Sequence, residues 1–512
     1  MSETINSGVP LLRIDNVTKH FPGVVANCEV SIDISRGEIH CLLGENGAGK
    51  TTLADILYGI SRPDEGAVFF KGKPLSARSP RDALSVGIGM VHQHFELVTP
   101  MSVLENVVIG TKEDPRQARR RLEELCATYD IDIDLDLETG RLSVGEQQWV
   151  EILKALYGGI DLLILDEPTA VLTPQGVRKL FTFLDEMRKE GLAIIFITHK
   201  LWEVMEVSDR ISILRRGKLV ETVNTADTTS GDLAKLMVGR DVVLDIDKGK
   251  AALGKTVIEI DDIHVEPHSV RGSLRGVSMH LKEGEVLGVA GVSGNGQSAL
   301  FDILVGVRQP TSGAIRLDGA SITELTPNQI AAHGVAAVPA DRINQALMMD
   351  FEVQENLILG RQRTTAFQSR GFQSNKAIAA FAEQAIEDFE IATPSAQNIT
   401  RVLSGGNLQK IVLARELSTE PRVLIVHQPT RGLDVSASEY VRRRLIQERD
   451  RGAAVLLISE DLDEIFNLAD RIAVIFEGEI IGELDPQDAT YEKVGRLMAG
   501  LKDTSPGEGS ES

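Results

Sequence analysis

At 512 residues the chain is too long for one ordinary hydrophobic core and suits two domains of roughly 200–250 residues. Hydrophobic residues make up 42%, enough for a core in each half, and the formal net charge of −21 repels polyanions and argues against sequence-independent nucleic-acid binding. Cys28, Cys41 and Cys126 form no C-x-x-C pair, so no zinc site or disulfide framework is expected, and a reducing cytosol suits them.

No basic-then-apolar signal segment opens the chain, and no run of 18 uncharged apolar residues occurs, so any membrane role is expected to come through partners. Ile39-His40-Cys41-Leu42-Leu43 reads as a short strand. It leads into Gly44-Glu45-Asn46-Gly47-Ala48-Gly49-Lys50-Thr51, a complete G-x-x-x-x-G-K-[ST] phosphate loop, and a helical pattern from Lys50 through Thr52 onward. Such a loop turns backbone N–H groups toward phosphate oxygens at the positive end of the next helix. Lys50 is placed to reach the β- and γ-phosphates, and the Thr51 hydroxyl to ligate magnesium.

The stretch from about Asp114 to Gly140 is expected to be helical and to form a separate subdomain. The runs Leu162 to Leu165 and Ala193 to Ile197 have the continuous apolar character of strands buried on both faces of a parallel sheet. Asp166 and Glu167 follow the first run, where one carboxylate can hold magnesium and the next can polarise water. Taken alone they could be an acidic turn after a core strand, but the phosphate loop upstream favours the site. The class is α/β. The runs Arg119 to Arg121 and Arg442 to Arg444 read as solvated helical faces.

The frame is written twice. Gly291-Val292-Ser293-Gly294-Asn295-Gly296-Gln297-Ser298 repeats the loop 247 residues on, with glutamine in place of lysine. Ser143 and Ser404, Asp166 and His427, His199 and Glu460, and Asp209-Arg210 and Asp470-Arg471 are each 261 apart. One offset held across four motifs points to duplication of a whole domain, with a net 14-residue insertion in the second copy. The expected domains are 10–244 and 256–502, with a polar linker at 245–255 and a disordered tail at 503–512.

Between the loop and the acidic pair stand Leu142-Ser143-Val144-Gly145-Glu146-Gln147-Gln148 and, in the second copy, Leu403-Ser404-Gly405-Gly406-Asn407-Leu408-Gln409-Lys410. These resemble the signature sequences of ABC ATPases, and the resemblance spans about residues 10–502. It implies two tandem P-loop ATPase domains, each a mostly parallel sheet core with a helical subdomain, that bind ATP with Mg2+. It further implies that Gln93 senses magnesium and contacts a membrane partner, that His199 touches the γ-phosphate, and that Phe21 stacks on adenine.

The second copy loses this chemistry. Gln297 replaces Lys50, His427 and Gln428 replace Asp166 and Glu167, Glu460 replaces His199, and Ala340 aligns with Gln93. No aromatic residue between Arg271 and Val277 matches Phe21. Family sites are composite, one domain's phosphate loop closing on the other's signature. The resemblance therefore implies one competent site, with Ser404, Gly405, Gly406 and Asn407 completing the first loop. The degenerate site combines Gly291, Gly296, Gln297, Ser298, His427, Gln428 and Glu460 with Ser143 and Gly145, and has Val144 where a glycine is usual. Thr173 stands where the family favours aspartate, whereas the second copy keeps Asp434.

Tandem domains with this second signature, followed by Gln428-Pro429-Thr430-Arg431-Gly432-Leu433-Asp434, resemble the ATPase subunits of sugar and nucleoside importers, and Gly294-Asn295-Gly296-Gln297 looks closer to the nucleoside members. The resemblance implies two transmembrane permease subunits, an extracytoplasmic substrate-binding protein, no nucleic acid, and a peripheral place on the cytoplasmic face of the cell membrane. A pentose or hexose importer and a cytosolic twin-ABC translation factor are the alternatives. The second fits poorly, because the linker is short and one site is dismantled.

Overall fold

The computed structural model describes residues 9–93, 95–111, 113–172, 174–239, 248–266, 272–369, 372–498 and 500–501. Its contacts divide the chain into Met1–Val242 and Val243–Ser512.

The first unit is built around a six-stranded sheet in the order Lys218–Asn224, Arg210–Arg215, Ile39–Leu43, Ala193–Thr198, Leu162–Asp166 and Ile88–Val91. All neighbours run parallel except the edge strand Lys218–Asn224. Ile39–Leu43, Leu162–Asp166 and Ala193–Thr198 are buried along their whole length, which is why they carry no polar alternation. The phosphate loop and the Asp166-Glu167 pair both leave carboxyl ends of these central strands, where open α/β sheets place their ligands.

A second, antiparallel sheet of Val24–Ile34, Leu12–Phe21, Glu65–Phe70 and Lys73–Pro74 flanks the first and is not foreseen above. Leu12, Ile14 and Val17 on its inner face join Leu53, Leu57, Leu162 and Ile164 in one core. The subdomain expected at 114–140 is α-helical over Pro115–Thr128, capped by Asp114, and meets a 3-10 turn at Thr139–Arg141 at its end. Beyond the helix Asp130 takes a left-handed backbone with φ 50°, and the acidic, β-branched stretch that follows runs irregularly, anchored by buried Ile131 and Leu135.

The second unit repeats the plan, with a six-stranded sheet ordered Val335–Val338, Val423–His427, Ala454–Ser459, Val286–Ala290, Arg471–Phe476 and Glu479–Leu484. Its four-stranded partner is Leu274–Lys282, Thr256–Val265, Ser312–Leu317 and Ala320–Ser321. Of the stretch read as a linker, 245–247 lies outside the described residues, and 248–255 is fastened to the second unit. The Lys248 ammonium donates to the Phe466 carbonyl at 3.4 Å and to that of Ala469, and the Gly254 N–H donates to Glu283 at 2.8 Å. The tail at 503–512, Thr173 and Arg271 also lie outside the described residues.

The repeated Asp-Arg pair is structural. Asp209 accepts from the Ile39 N–H at 2.9 Å and from Arg188 at 2.8 Å, and Asp470 accepts from the Val286 N–H at 2.9 Å and from Arg449 at 3.0 Å. Each aspartate thus pins the start of the strand that leads into its glycine loop. The arginine runs are only in part the solvated faces expected: Arg120, Arg121 and Arg443 are exposed, whereas Arg119, Arg442 and Arg444 are half-buried. Arg121 lies 4.6 Å from the Tyr157 ring centre and Arg444 4.6 Å from that of Phe389, while Arg442 is half-buried beside Asp461 at 3.7 Å. A guanidinium set over an aromatic ring gains a cation–π contact that charge counting alone does not reveal.

Candidate functional site

The first loop is shaped by glycines that admit no substitute. Gly49 has φ 101°, and a Cβ there would collide with the Ala26 carbonyl. The Asn27 amide, fully buried, donates to the Gly49 carbonyl at 3.1 Å. The hairpin of Leu12–Phe21 and Val24–Ile34 therefore braces the loop, and Phe21 ends its first strand half-exposed, with the Lys19 ammonium 5.6 Å from its ring centre.

Lys50 opens the helix Lys50–Leu57 with only 6% of its surface exposed. Its ammonium donates to the Gly44 carbonyl at 2.7 Å and to that of Glu45 at 3.1 Å, curling back over the loop. Burial lowers its pKa, and the nearby charges of Glu167 and Asp166 work against that fall. Glu45, Asn46, Gly47 and Ala48 complete the turn, closed by the Ala48 N–H on the Glu45 carbonyl at 3.1 Å. Thr52 is half-buried one residue beyond Thr51.

The acidic pair meets the loop directly. The Thr51 hydroxyl donates to Asp166 at 2.9 Å, and burial raises the Asp166 pKa. Glu167 stands at the centre of a three-residue chain. Its Oε2 accepts from the Gln93 amide at 2.9 Å, and its Oε1 lies 2.7 Å from His199 Nδ1. Burial alone would raise the Glu167 pKa, but the His199 hydrogen bond and the charges of His199, Lys50 and Lys200 outweigh it and leave the group lowered. Gln93, Lys50, Thr51, Asp166, Glu167 and His199, from four separate stretches of sequence, thus converge on one place.

Sequence reasoning missed the layer beneath. Glu203 is fully buried and accepts from the hydroxyls of Thr169 at 2.5 Å and Thr198 at 2.8 Å, with the Lys200 ammonium at 3.1 Å. It ties the turn after Glu167 to the strand end that carries His199. Its recurrence as Glu464, 261 residues on, was the available signal.

In the second unit the backbone is kept. Gly296 has φ 108° and Gln297 is 3% exposed, but among the described residues its amide nitrogen finds no hydrogen-bond partner. His427 is buried against Phe301, their ring centres 5.6 Å apart, and burial together with Arg431 lowers its pKa to about 4, so it is neutral at physiological pH. Burial raises the Glu460 pKa, against the pull of Arg431 and hydrogen bonds with Ser293 and Gln428. Gly291 is buried and Ser298 exposed. Lys50, Asp166 and Glu167 thus have the neutral counterparts Gln297, His427 and Gln428, while a carboxyl, Glu460, stands in place of His199.

The two signature helices, Val144–Tyr157 and Gly405–Leu417, differ at their starts. Ser143 forms a capping box with Glu146, while the Ser404 hydroxyl instead accepts from the Asn407 amide at 2.9 Å. Gly145 has room for a Cβ, whereas one on Gly406 would press Ala437 at 3.0 Å.

A family model described as "ABC transporter" matches residues 28–170 and 274–431. The guanosine import ATP-binding protein NupO of Bacillus subtilis is 42% identical over 504 residues, covering 97% of this chain and 99% of its own. The nucleoside import ATP-binding protein NupA of Lactococcus lactis is 44% identical over 498 residues, covering 96% and 98%. The glucose import ATP-binding protein TsgD13 of Haloferax volcanii is 42% identical over 540 residues, covering 98% of each chain.

Proposed function

This chain belongs to the ABC transporter family, and we propose that it is the ATPase subunit of a nucleoside importer, with one working ATP site. The observation that carries the single-site reading is the Gln93–Glu167–His199 chain beside Lys50, Thr51 and Asp166, set against a second unit in which Gln297, His427 and Gln428 replace the lysine and both carboxylates. In this reading the backbone of residues 44–52 cradles the phosphates and Lys50 swings from the Gly44 and Glu45 carbonyls onto them. Phe21 offers its exposed ring to adenine. Glu167 takes the proton of the attacking water, while Gln93 and His199 hold its two oxygens in place. Ser404, Gly405, Gly406 and Asn407 complete the site.

Thr51, Asp166 and Gln93 present the hard oxygen donors that suit Mg2+, and the Thr51–Asp166 separation of 2.9 Å places two of them together. Bound there, the ion would neutralise charge on the phosphates. Among the described residues no helix is long and apolar enough to cross a membrane. The reading therefore calls for two permease subunits, with this chain peripheral on the cytoplasmic face and a substrate-binding protein on the other. The domain limits 10–244 and 256–502 belong to the same proposal.

A sugar importer is the second reading, favoured by the likeness to the Haloferax protein. Purification from solubilised membranes is expected to recover two polytopic proteins with the chain. Reconstituted in liposomes with the binding protein, the complex is expected to take up labelled guanosine on addition of ATP. Uptake of glucose and not of nucleosides would establish the sugar reading, and recovery without any membrane protein would overturn both.

A further inference from the structure

We propose that Arg342 is a positioning residue for ATP hydrolysis, its guanidinium holding the second signature against the turn that follows the second acidic motif. The inference rests on the reading that Ser404, Gly405 and Gly406 complete the working site.

Arg342 begins a π-helical turn, Arg342–Ala346. Asp341 fixes that turn, its carboxylate accepting from the N–H groups of Ile343 at 3.0 Å and Asn344 at 2.9 Å and from the Asn344 amide at 2.7 Å. π-turns are rare and collect at functional places. From there Arg342 Nη1 donates to the Arg431 carbonyl at 2.8 Å. A Cβ built on Gly405 would lie 2.8 Å from Nη2, and one on Gly432 3.8 Å away. One side chain therefore meets three segments: 341–346, which aligns with the Gln93 region of the first unit, the signature, and the turn at 431–432.

The contact is poorly explained as a stabilising one. Among the described residues the buried Nε has no hydrogen-bond partner, and burial lowers the affinity of the group for its proton. A cation set against the first residue of the helix Gly405–Leu417 also opposes the helix dipole. A phosphate arriving at that end relieves the conflict, so the arrangement suits the nucleotide-bound state better than the free one.

The first unit lacks both halves of the contact. Two residues past Gln93 stands Phe95, where two residues past Ala340 stands Arg342, and Gly405 aligns with Val144. Val144, 49% exposed, carries a side chain at the position where Gly405 leaves room for the guanidinium. The arginine and the glycine that accommodates it occur together in the one unit whose signature is assigned to the working site.

The test is ATP turnover by the reconstituted transporter carrying Arg342→Ala, Arg342→Lys, Gly405→Ala or the Ala/Ala double change. A displaced signature costs about 10²-fold in kcat for Arg342→Ala. Binding of a fluorescent ATP analogue by the isolated full chain is expected to stay within about two-fold, because the first loop is untouched. Arg342→Lys recovers part of the rate, since an ammonium still reaches the Arg431 carbonyl. Gly405→Ala pushes only the flexible end of Arg342 aside, so the chain folds, and the double variant falls no further than the worse single one. Wild-type kcat in Arg342→Ala, or fully additive losses in the pair, overturns the inference. If Arg342→Ala does not fold, the lysine variant and Gly405→Ala decide it: a lysine variant at wild-type rate with a slow Gly405→Ala rules the guanidinium out. Ser404→Arg is the reference. If it leaves turnover intact, the composite reading itself is wrong, whereas loss there with none at Arg342 removes this inference alone.

Discussion

Glu167 and Gln428 share one backbone conformation, with φ of 49° and 51°, although only the first carries a carboxylate. Each N–H donates to the carbonyl at the end of the neighbouring strand, Ile197 at 2.9 Å and Ile458 at 2.8 Å. A left-handed residue that is not glycine costs about 1 kcal/mol or more. Both units keep that strained turn, which aims the side chain outward, while the second has given up the base it was aiming. The duplication preserved the scaffold and replaced the chemistry.

Hydrolysis is accordingly expected to run through the first unit alone. Glu167→Gln should lower ATP turnover of the assembled transporter by about 10²- to 10⁴-fold, the usual worth of a general base. Gln428→Ala should leave turnover within about two-fold, since an amide at that position cannot accept the proton. The comparison is steady-state phosphate release at saturating ATP. Equal losses would mean two working sites.

His199 should set the acid limit of the reaction. In the folded chain the Glu167 pKa lies below its ordinary value of 4.5, so the proton-accepting form is lost only as pH falls through that lowered value. His199→Ala removes the largest of the lowering influences and leaves burial to act, so the acid limb of kcat/KM should move to higher pH as well as the rate falling. A fall in rate with an unmoved limb would show that His199 acts on the phosphate and not through Glu167.

Glu464 carries a stability cost at neutral pH. Glu203 has the Lys200 ammonium at 3.1 Å, but the residue aligned with Lys200 is Asp461. Burial, with Asp461 adding to it against the pull of Arg442, raises the Glu464 pKa to about 7. The folded state then holds a proton that the unfolded chain releases near 4.5, so stability falls as pH rises from about 4.5 to 7 and stays reduced above. At about 1.4 kcal/mol per pH unit the full effect is on the order of 3–4 kcal/mol. Glu464→Gln should raise the melting temperature above pH 7 and flatten this slope. Thermal scans at pH 5 and pH 8 measure both, and an unchanged slope would show that Glu464 is not the group responsible.

Much of the site was legible because its chemistry demands fixed spacings. The glycine loop, the carboxylates after an apolar run and the histidine after the next each announce themselves locally, and the carboxylates and the histidine share one 261-residue offset with the signature. What stayed hidden has no local mark. Glu203 reads as one more acidic residue on a helix, and only the fold puts it between Thr169 and Thr198. The antiparallel sheet escaped notice because Leu12–Phe21 is interrupted by irregular pairing that breaks its alternation. Arg342 could not be read from a motif, since its contacts lie 63 and 89 residues away in sequence.

The two signature serines should separate stability from turnover. Ser143 spends its hydroxyl on the Glu146 N–H at 3.3 Å and its own N–H on the Glu146 carboxylate at 2.7 Å, a closed capping box. Ser404 caps no N–H of its helix, and its hydroxyl is turned to the Asn407 amide. Ser143→Ala should therefore cost about 1 kcal/mol of stability, the usual worth of an N-cap, and leave turnover near that of the parent. Ser404→Ala should scarcely change stability but slow hydrolysis, and Ser404→Arg should abolish ATP-driven uptake by blocking the N–H groups that stabilise charge on the γ-phosphate. Ser143→Arg is expected to keep substantial turnover. Chemical denaturation and phosphate release on the same four variants decide the matter. A greater loss of turnover at Ser143 would place the working nucleotide against the first signature and remove the case for pairing Lys50 with Ser404.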